Sequence, residues 1–137
     1  MCNKNDDATC ISEILTVILV LQKNASCGEY CLDTCDRGFL GCGSTSLSCN
    51  TRPVTLYGCR QRPWEFPISK DPNETIVSSI FRIEKLDGKC ATFRVLIENP
   101  DTNETNIPFI ATNSFFTIDL NCVCALRCLN DAYVECI

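Results

Sequence analysis

The chain has 137 residues, of which 13 are cysteines and none is histidine. Without histidine there is no Ser/His or Cys/His nucleophile pair, no imidazole general base and no zinc site that uses histidine. Seventeen acidic residues against twelve basic ones give a net charge of -5, which does not favour nucleic acid as a partner.

The acidic side chains are expected to lie at the solvated surface, because no pair of them is singled out by its sequence surroundings. We therefore expect a protein that is not an enzyme. At this length the chain is expected to form one domain, residues 1–137, whose core can be buried without cross-links. Because the cysteine count is odd, at least one thiol stays unpaired within the chain.

The main hydrophobic run, residues 14–21, is eight residues long, well short of the roughly 20 that span a bilayer. A secretory signal would carry basic residues before such a run, whereas Asp6, Asp7 and Glu13 here outnumber Lys4. We therefore expect no membrane contact and initial retention in the cytoplasm, where disulfides are normally kept reduced.

Residues 9–24 are predicted to form a helix, with Thr9 as its N-cap. Several β-branched residues near its centre leave a strand as the alternative. The following segment, residues 27–59, holds six of the cysteines and is expected to consist mainly of loops. The apolar side of the predicted helix consists of Ile11, Ile14, Leu15, Ile18 and Leu21.

Residues 51–137 are predicted to form a β domain, because alternating apolar residues and turn signals follow one another there. These elements indicate a mainly β protein, an antiparallel β-sandwich or barrel-like domain, with one N-terminal helix and a cysteine-rich loop segment. The predicted strands are Val54–Tyr57, Val77–Leu86, Ala91–Glu98, Ile107–Ala111 and Phe115–Cys124.

A hairpin is predicted around Asp87 and Gly88. A plain two-residue turn would mix the apolar and polar faces of its two strands, so we expect a three-residue loop or a bulge that aligns them. The pairs expected in this register are Ile83 with Phe93, Phe81 with Val95, and Arg82 with Arg94, the two arginines lying near Glu84 on a solvated face.

Strand register also orients several cysteines. In the last predicted strand, Cys122 and Cys124 fall on the side expected to face the core. Their Cα atoms would lie roughly 7 Å apart, too far for a bond between them, so each is expected to pair with a cysteine from residues 27–59. Cys90 falls on the outer face of the hairpin, where it can meet a second layer or a neighbouring molecule.

A metal site held by cysteine alone is the main alternative use of these thiols. The chain contains no C-x-x-C spacing, the spacing of zinc knuckles and of thioredoxin-type redox sites. We therefore expect no bound metal and no cofactor. The alternative, a cysteine-only structural zinc module, would use Cys27, Cys31, Cys35, Cys122, Cys124 and Cys128.

Four segments together resemble one known family. They are CGEYC at 27–31, NTRPVTLYG at 50–58, IFRIEKLDGKCATFRVLI at 80–97 and FFTIDLNCVCALRCLN at 115–130. The chain is similar to the CotY/CotZ/ExsY family of spore coat and exosporium proteins of Bacillus-type bacteria, and the resemblance covers nearly the whole chain. The family pattern carries over to Cys27, Cys31, Cys90, Cys122, Cys124 and Cys128.

The resemblance implies a structural protein at the spore surface, in the outer coat or the basal layer of the exosporium. Such a protein is made in the mother cell cytoplasm, and its thiols oxidise during assembly and after lysis. Its partners would be further copies of itself, which we expect to form hexameric rings that tile a lattice, and other coat or exosporium proteins. Disulfides would then lock the lattice.

On this interpretation, central cysteines hold the domain together, and peripheral ones in polar or terminal surroundings join it to its neighbours. The candidates for bonds within the chain are Cys27, Cys31, Cys35, Cys122, Cys124 and Cys128. The candidates for bonds between chains are Cys2, Cys10, Cys42, Cys49, Cys59, Cys90 and Cys136.

Overall fold

The computed structural model describes residues 10–25, 49–101, 103, 107–135 and 137. Its elements are helix α1 (Cys10–Ala25), strands β1 (Val54–Tyr57), β2 (Phe66–Pro67), β3 (Val77–Ser78), β4 (Ile80–Asp87), β5 (Cys90–Glu98) and β6 (Phe109–Asp119), a 3-10 turn (Leu120–Cys122) and strand β7 (Ala125–Cys128). The predicted cap Thr9 and most of the cysteine-rich segment lie outside these residues.

Five strands form one antiparallel sheet in the order β6-β5-β4-β1-β7, and β2 pairs with β3 in a small second sheet. The predicted class, mainly antiparallel β with one N-terminal helix, is confirmed. The sheet does not close into a barrel or a complete sandwich, and in the described part of the chain β6 and β7 are its two edges.

The helix prediction is confirmed, with both ends one residue later than expected. Leu15 and Ile18 are fully buried against the sheet, whereas Ile14 from the predicted apolar side is 46% exposed. Gln22 is also buried, because both ends of its amide are hydrogen-bonded to the β domain. Within the described ranges, no helix has the length and apolar character needed to span a bilayer.

The hairpin register of β4 and β5 is confirmed: Ile83 lies opposite Phe93, and Phe81 lies opposite Val95. The apolar faces of the two strands are aligned by a bulge and not by a three-residue loop. The register shifts at Glu84, and the loop itself contains only two residues, Gly88 and Lys89. Gly88 has a φ of 59°, a conformation that glycine adopts without strain and that two-residue hairpin loops require.

Two predicted strand boundaries are wrong because side chains compete with the backbone ladder. Ser78 donates to the carbonyl of Leu96 and accepts from the amide of Ile80, which divides the predicted strand 77–86 into β3 and β4. Conversely, the predicted strands 107–111 and 115–124 are joined as β6. Thr112 donates to the carbonyl of Val95 within a local register shift that lets the strand continue.

The core is built around stacked aromatic rings from several strands. Phe116 on β6 lies 3.7 Å from Phe66, 4.8 Å from Phe81 and 5.4 Å from Phe93, measured between ring centroids. Trp64 stacks on Phe66 at 6.2 Å and packs against the core cluster. These offset and edge-to-face contacts tie the small sheet to the large one.

The C-terminal segment is anchored to residues 50–53 rather than hanging free. The amide of Thr51 donates to the carbonyl of Ala132, and the amide of Ala132 donates back to Thr51. Arg52 forms a bidentate ion pair with Asp131 at 2.7 and 2.9 Å. Such fork-to-fork geometry fixes orientation as well as charge, so the two segments form a clamp beside β1 and β7.

Arg82 is hydrogen-bonded to this clamp. The predicted pairing of Arg82 with Arg94 is confirmed, but Arg82 is buried, with 7% of its surface exposed, and does not lie on a solvated face. Its guanidinium donates to Thr51 Oγ1, to the Asn50 carbonyl and to Glu84. Burial lowers the pKa of Arg82 and the Glu84 carboxylate opposes that shift, while the nearby Arg94 adds to it.

Candidate cross-linking site

The turn that follows β1 brings two distant cysteines together. The amide of Cys124 donates to the carbonyl of Tyr57 at 2.9 Å, just before Tyr57 pairs with Ala125 at the start of β7. Cys59 lies two residues after Tyr57, in a turn closed by the bond from the Gly58 amide to the Arg62 carbonyl. Cys59 and Cys124 are joined by a disulfide, with a Cα separation of 5.2 Å.

This disulfide links positions that are 65 residues apart in sequence, and it is not enclosed by the core. Both Cys59 and Cys124 are exposed residues. A bond that closes so long a loop restricts the unfolded chain strongly, and its exposure leaves the sulfurs open to attack by other thiols.

Cys122 lies beside this bond but takes no part in it. It ends the 3-10 turn that Asp119 caps, by accepting a hydrogen bond from the amide of Asn121 at 2.9 Å. The next residue, Val123, is extended and buried, with 5% of its surface exposed. Neighbours of an extended residue point to the opposite side of the chain, so Cys122 and Cys124 both face solvent.

The prediction that Cys122 and Cys124 point toward the core is therefore wrong. Strand β6 ends at Asp119, and the 3-10 turn inserted after it breaks the alternation on which that prediction depended. Leu120 and Val123 take the buried positions instead.

Among the described residues, Cys90, Cys122 and Cys128 are free and exposed. Cys90 pairs with Asp119 in the sheet, and the amide of Leu120 donates to the Lys89 carbonyl at 2.8 Å. Cys90 therefore lies at the same end of the sheet as the turn that carries Cys122. Its predicted position, outside the apolar stripe of the hairpin, is where the structure places it.

Cys128 lies at the end of the edge strand β7, opposite Val54. Although the residue is exposed, its surroundings remove water from the thiol, and this desolvation raises its pKa above the ordinary value of 9.0. Arg52 lowers the pKa and Asp131 raises it, each by less than the desolvation. Since the thiolate is the nucleophile, we expect Cys128 to react more slowly at neutral pH than an ordinary exposed thiol.

The structure divides the cysteines between bonds within the chain and free thiols differently from the expectation. Cys59 was assigned to bonds between chains, but the turn after β1 places it against Cys124 within the chain. Cys10 and Cys49 were assigned in the same way; each takes part in a disulfide, and their assignment to bonds between chains stays a prediction. Cys49 is buried, with 3% of its surface exposed, and directly precedes the clamp, where the amide of Asn50 donates to the carbonyl of Ala132.

For Cys122 and Cys128 the difference between expectation and structure is the reverse. They were assigned to bonds within the chain and are free at the surface. The 3-10 turn accounts for Cys122, and the position of β7 at an edge accounts for Cys128. The assignments of Cys2, Cys27, Cys31, Cys35, Cys42 and Cys136 fall on residues outside the described part of the chain.

A pocket of about 420 Å³ adjoins the disulfide and is lined by Cys59, Gly58 and the loop that follows them to Trp64. Trp64 Nε1 is a buried donor without a hydrogen-bond partner in the described part of the chain. Arg60 and Arg62 contribute two exposed cations to the same loop. The surface beside Cys59 is therefore locally basic on a chain whose net charge is -5.

In the described residues, no group of three or more cysteines and carboxylates is close enough to hold a metal ion. The zinc arrangement considered from the sequence would need Cys124, whose sulfur is bonded to Cys59. A bonded sulfur is not the thiolate that zinc requires. The disulfide therefore removes one of the six ligands of that alternative.

An open antiparallel sheet with a long-range disulfide and several exposed thiols defines a class of protein: a small, cysteine-rich β domain whose described free thiols lie at its surface. The family model of Spore coat protein Z matches residues 1–108. The chain belongs to this family, and it is a structural protein of the spore coat, at the spore surface. Because the family match ends at residue 108, it does not include Cys122. Neither a curated protein nor a solved structure matches the chain significantly.

Proposed function

We propose that the protein assembles with itself into a two-dimensional layer of hexameric rings, in the outer coat or the basal layer of the exosporium, and that disulfides between chains lock this layer. The single observation that supports this most directly is the presence of three free, exposed cysteines on a folded domain. Such thiols are liabilities in a monomeric protein, and in a coat protein they supply links to neighbouring molecules.

The edges of the sheet supply the surfaces for association. Strand β6 has 11 residues and forms one edge of the described sheet. It contains no lysine, arginine or proline, the residues that commonly guard exposed edges against pairing. Its outer side can therefore accept a strand or a flat face of a neighbouring copy.

The proposed order of events is association first and bonding second. The protein is made in the mother cell cytoplasm, where thiols stay reduced, so packing between edges and faces determines the geometry of the layer. Oxidation then converts a reversible assembly into one that dilution, heat and mild denaturant do not reverse. Other coat or exosporium proteins with exposed thiols can be attached in the same way.

Two measurements test this proposal. Purified protein is separated on a denaturing gel with and without reductant, and the assembled material is imaged by electron microscopy. The expected result is a ladder of oligomers that collapses to monomer on reduction, with a regular layer of rings in the images. A variant in which Cys90, Cys122 and Cys128 are all replaced by serine should form the layer but lose most of the ladder.

Monomer in both lanes, together with one zinc ion per chain in a metal assay, would instead establish the cysteine-only zinc module. A ladder of oligomers on the gel without an ordered layer in the images would support covalent joining between chains but contradict the proposed lattice. A ladder unchanged in the triple variant would show that other cysteines of the chain form the links.

A further inference from the structure

The disulfide and the neighbouring free thiol form a group of three exposed sulfurs, from Cys59, Cys122 and Cys124. We propose that this group is a thiol–disulfide exchange site, at which Cys122 of one copy attacks the Cys59–Cys124 bond of a second copy. The inference rests on the proposed function and names the chemistry of its cross-links. Once oxidation has formed the Cys59–Cys124 bond, exchange joins two copies without any further oxidant.

The geometry limits what Cys122 can do within its own chain. Its Cα atom and that of Cys124 flank the extended residue Val123 and are therefore roughly 7 Å apart, beyond the reach of an unstrained disulfide. Attack on its own Cys59 would move the existing bond and join no molecules. Only a bond to another copy creates a link.

A link between copies can form when this surface of one copy faces the same surface of a second copy. In a two-fold contact the same patch is used by both partners. Because thiol and disulfide lie in one exposed patch, such a contact presents the Cys122 of each copy to the disulfide of the other. Cys90, at the same end of the sheet, lies next to this surface without being part of the exchange.

Local charge selects which sulfur is attacked. Arg60 and Arg62 lie on the loop that carries Cys59, and their positive charge favours the approach of an anionic thiolate to that side of the bond. The leaving sulfur is then Cys124. Attack at Cys59 also leaves the anchored backbone of Cys124, whose amide is bonded to Tyr57, undisturbed.

The step balances without an oxidant. The Cys122 thiol loses its proton, and its thiolate attacks the Sγ of Cys59 in the second copy. A sulfur–sulfur bond forms between the chains, the Cys59–Cys124 bond breaks, and Cys124 leaves as a thiolate that takes up a proton. One disulfide and one thiol are consumed and one of each is produced. The released Cys124 thiolate can attack the disulfide of a third copy and extend the chain of links.

The test uses the full-length protein with its disulfides formed, kept under argon with a metal chelator. Equal amounts of unlabelled and ¹⁵N-labelled copies are mixed, quenched with an alkylating agent at intervals, and mapped by non-reducing mass spectrometry. The expected product is a Cys122–Cys59 peptide pair of mixed isotopic label, formed while the total free-thiol count stays constant. Replacing Cys122 by serine should slow dimer formation at least about tenfold, whereas C90S should leave it unchanged.

A second variant, C59A/C124A, removes the bond that is attacked, and circular dichroism checks that it folds. It should form no dimers under argon but should still form oligomers when the oxidant diamide is added. Unchanged anaerobic dimerisation in C122S or in C59A/C124A overturns the exchange site. If every Cys59–Cys122 peptide pair carries a single label and no mixed pair is found, the exchange site is overturned too, because exchange then stays within one chain.

The diamide experiment separates this inference from the proposed function. If wild-type protein forms oligomers with diamide but none under argon, exchange at this site is wrong and cross-linking by oxidation remains. If it stays monomeric with diamide as well, the proposed cross-linked layer itself is wrong.

Discussion

Gln22 of the helix and Ile83 of strand β4 are joined by a buried hydrogen bond, in which Gln22 Nε2 donates to the Ile83 carbonyl at 2.9 Å. The same side chain accepts from the amide of Arg52 at 3.1 Å through Oε1. One buried amide thus connects the helix, the central hairpin and the clamp that holds the C-terminal segment. A polar group so buried stabilises the fold only while both its partners are in place.

Replacing Gln22 by alanine should lower the free energy of unfolding by about 2–4 kcal/mol, because it leaves the buried Ile83 carbonyl and the partly buried Arg52 amide without this partner and opens a cavity. Urea denaturation followed by circular dichroism measures the change. Val17→Ala is the matched control, since Val17 lies on the same helix and is 58% exposed, and its effect should stay within about 0.5 kcal/mol. Equal effects of the two variants would show that the helix does not depend on this contact.

Adjacent phenylalanines on β6 should differ sharply in their effects. Phe116→Ala removes the ring that stacks on Phe66 at 3.7 Å and should cost about 3–4 kcal/mol. Phe115→Ala removes a ring that is 42% exposed and lies under the Arg94 guanidinium at 4.5 Å, and it should cost no more than about 1 kcal/mol. Thermal unfolding of both variants tests the orientation of β6, and reversed effects would contradict it.

Glu84, at the bulge, accepts from Arg82 at 2.9 Å and from Arg94 at 3.1 Å through one carboxylate oxygen. Glu84→Gln keeps the shape but removes the charge that compensates the buried Arg82, so we expect a loss of about 1–3 kcal/mol. Glu98→Gln, at the exposed end of β5, is the control and should be nearly neutral. A neutral Glu84→Gln would mean that Thr51 and Asn50 alone hold Arg82.

Loss of the Cys59–Cys124 bond should destabilise the monomer by about 2–4 kcal/mol, the range typical of disulfides, with roughly 4 kcal/mol as the value that chain entropy gives for a loop of this size. C59A/C124A is compared with C90A, which removes an exposed free thiol and should change stability by less than about 0.5 kcal/mol. Both are measured by urea denaturation of freshly alkylated protein, so that exchange does not interfere. A double variant as stable as C90A would show that the clamp and the core suffice to hold the turn after β1.

The reactivity of Cys128 should depend on pH in a way that its raised pKa dictates. The unfolded thiol ionises around 9.0, and in the folded protein ionisation is displaced to higher pH, so alkylation by iodoacetamide should keep accelerating above that value. The same displacement means that the folded state holds its proton longer than the unfolded state, and stability contributed by Cys128 should fall as pH rises above 9.0. Site-specific alkylation rates from mass spectrometry check the first effect, and a plateau below pH 9.0 would contradict it.

Local pattern predicted the parts of the fold that depend on neighbours in sequence. The helix follows from its 3.6-residue periodicity, and the pairing of Ile83 with Phe93 follows from the need to place the apolar residues of both strands on one face. A bulge was one of the two predicted ways to align the apolar faces, the other being a three-residue loop. The sequence did not identify Glu84 as the position of the bulge. Periodicity has no information about the 3-10 turn after Asp119, and so the orientation of Cys122 and Cys124 was wrong.

The pairing of Cys59 with Cys124 had a weak signal in the sequence. Cys59 lies two residues after strand β1, and Cys124 lies one residue before β7, but no strand was predicted over β7, because the last predicted strand ends at Cys124. The prediction that Cys124 pairs with a cysteine from residues 27–59 is confirmed, but without knowledge that β1 and β7 are neighbours, nothing singles out Cys59 among the six cysteines of that segment. Long-range pairing depends on strand order, which spacing along the chain does not specify.

The sequence by itself determined the class of the protein: a mainly β domain with a helix, too rich in cysteine and too poor in histidine for most catalytic sites, and similar to spore coat proteins. Only the tertiary structure decided which sulfurs lie inside bonds and which face outward. Sequence patterns report contacts within one element, whereas a disulfide, a buried Arg82 and an exposed Cys122 depend on which elements pack side by side, and that is settled only when the whole core is assembled.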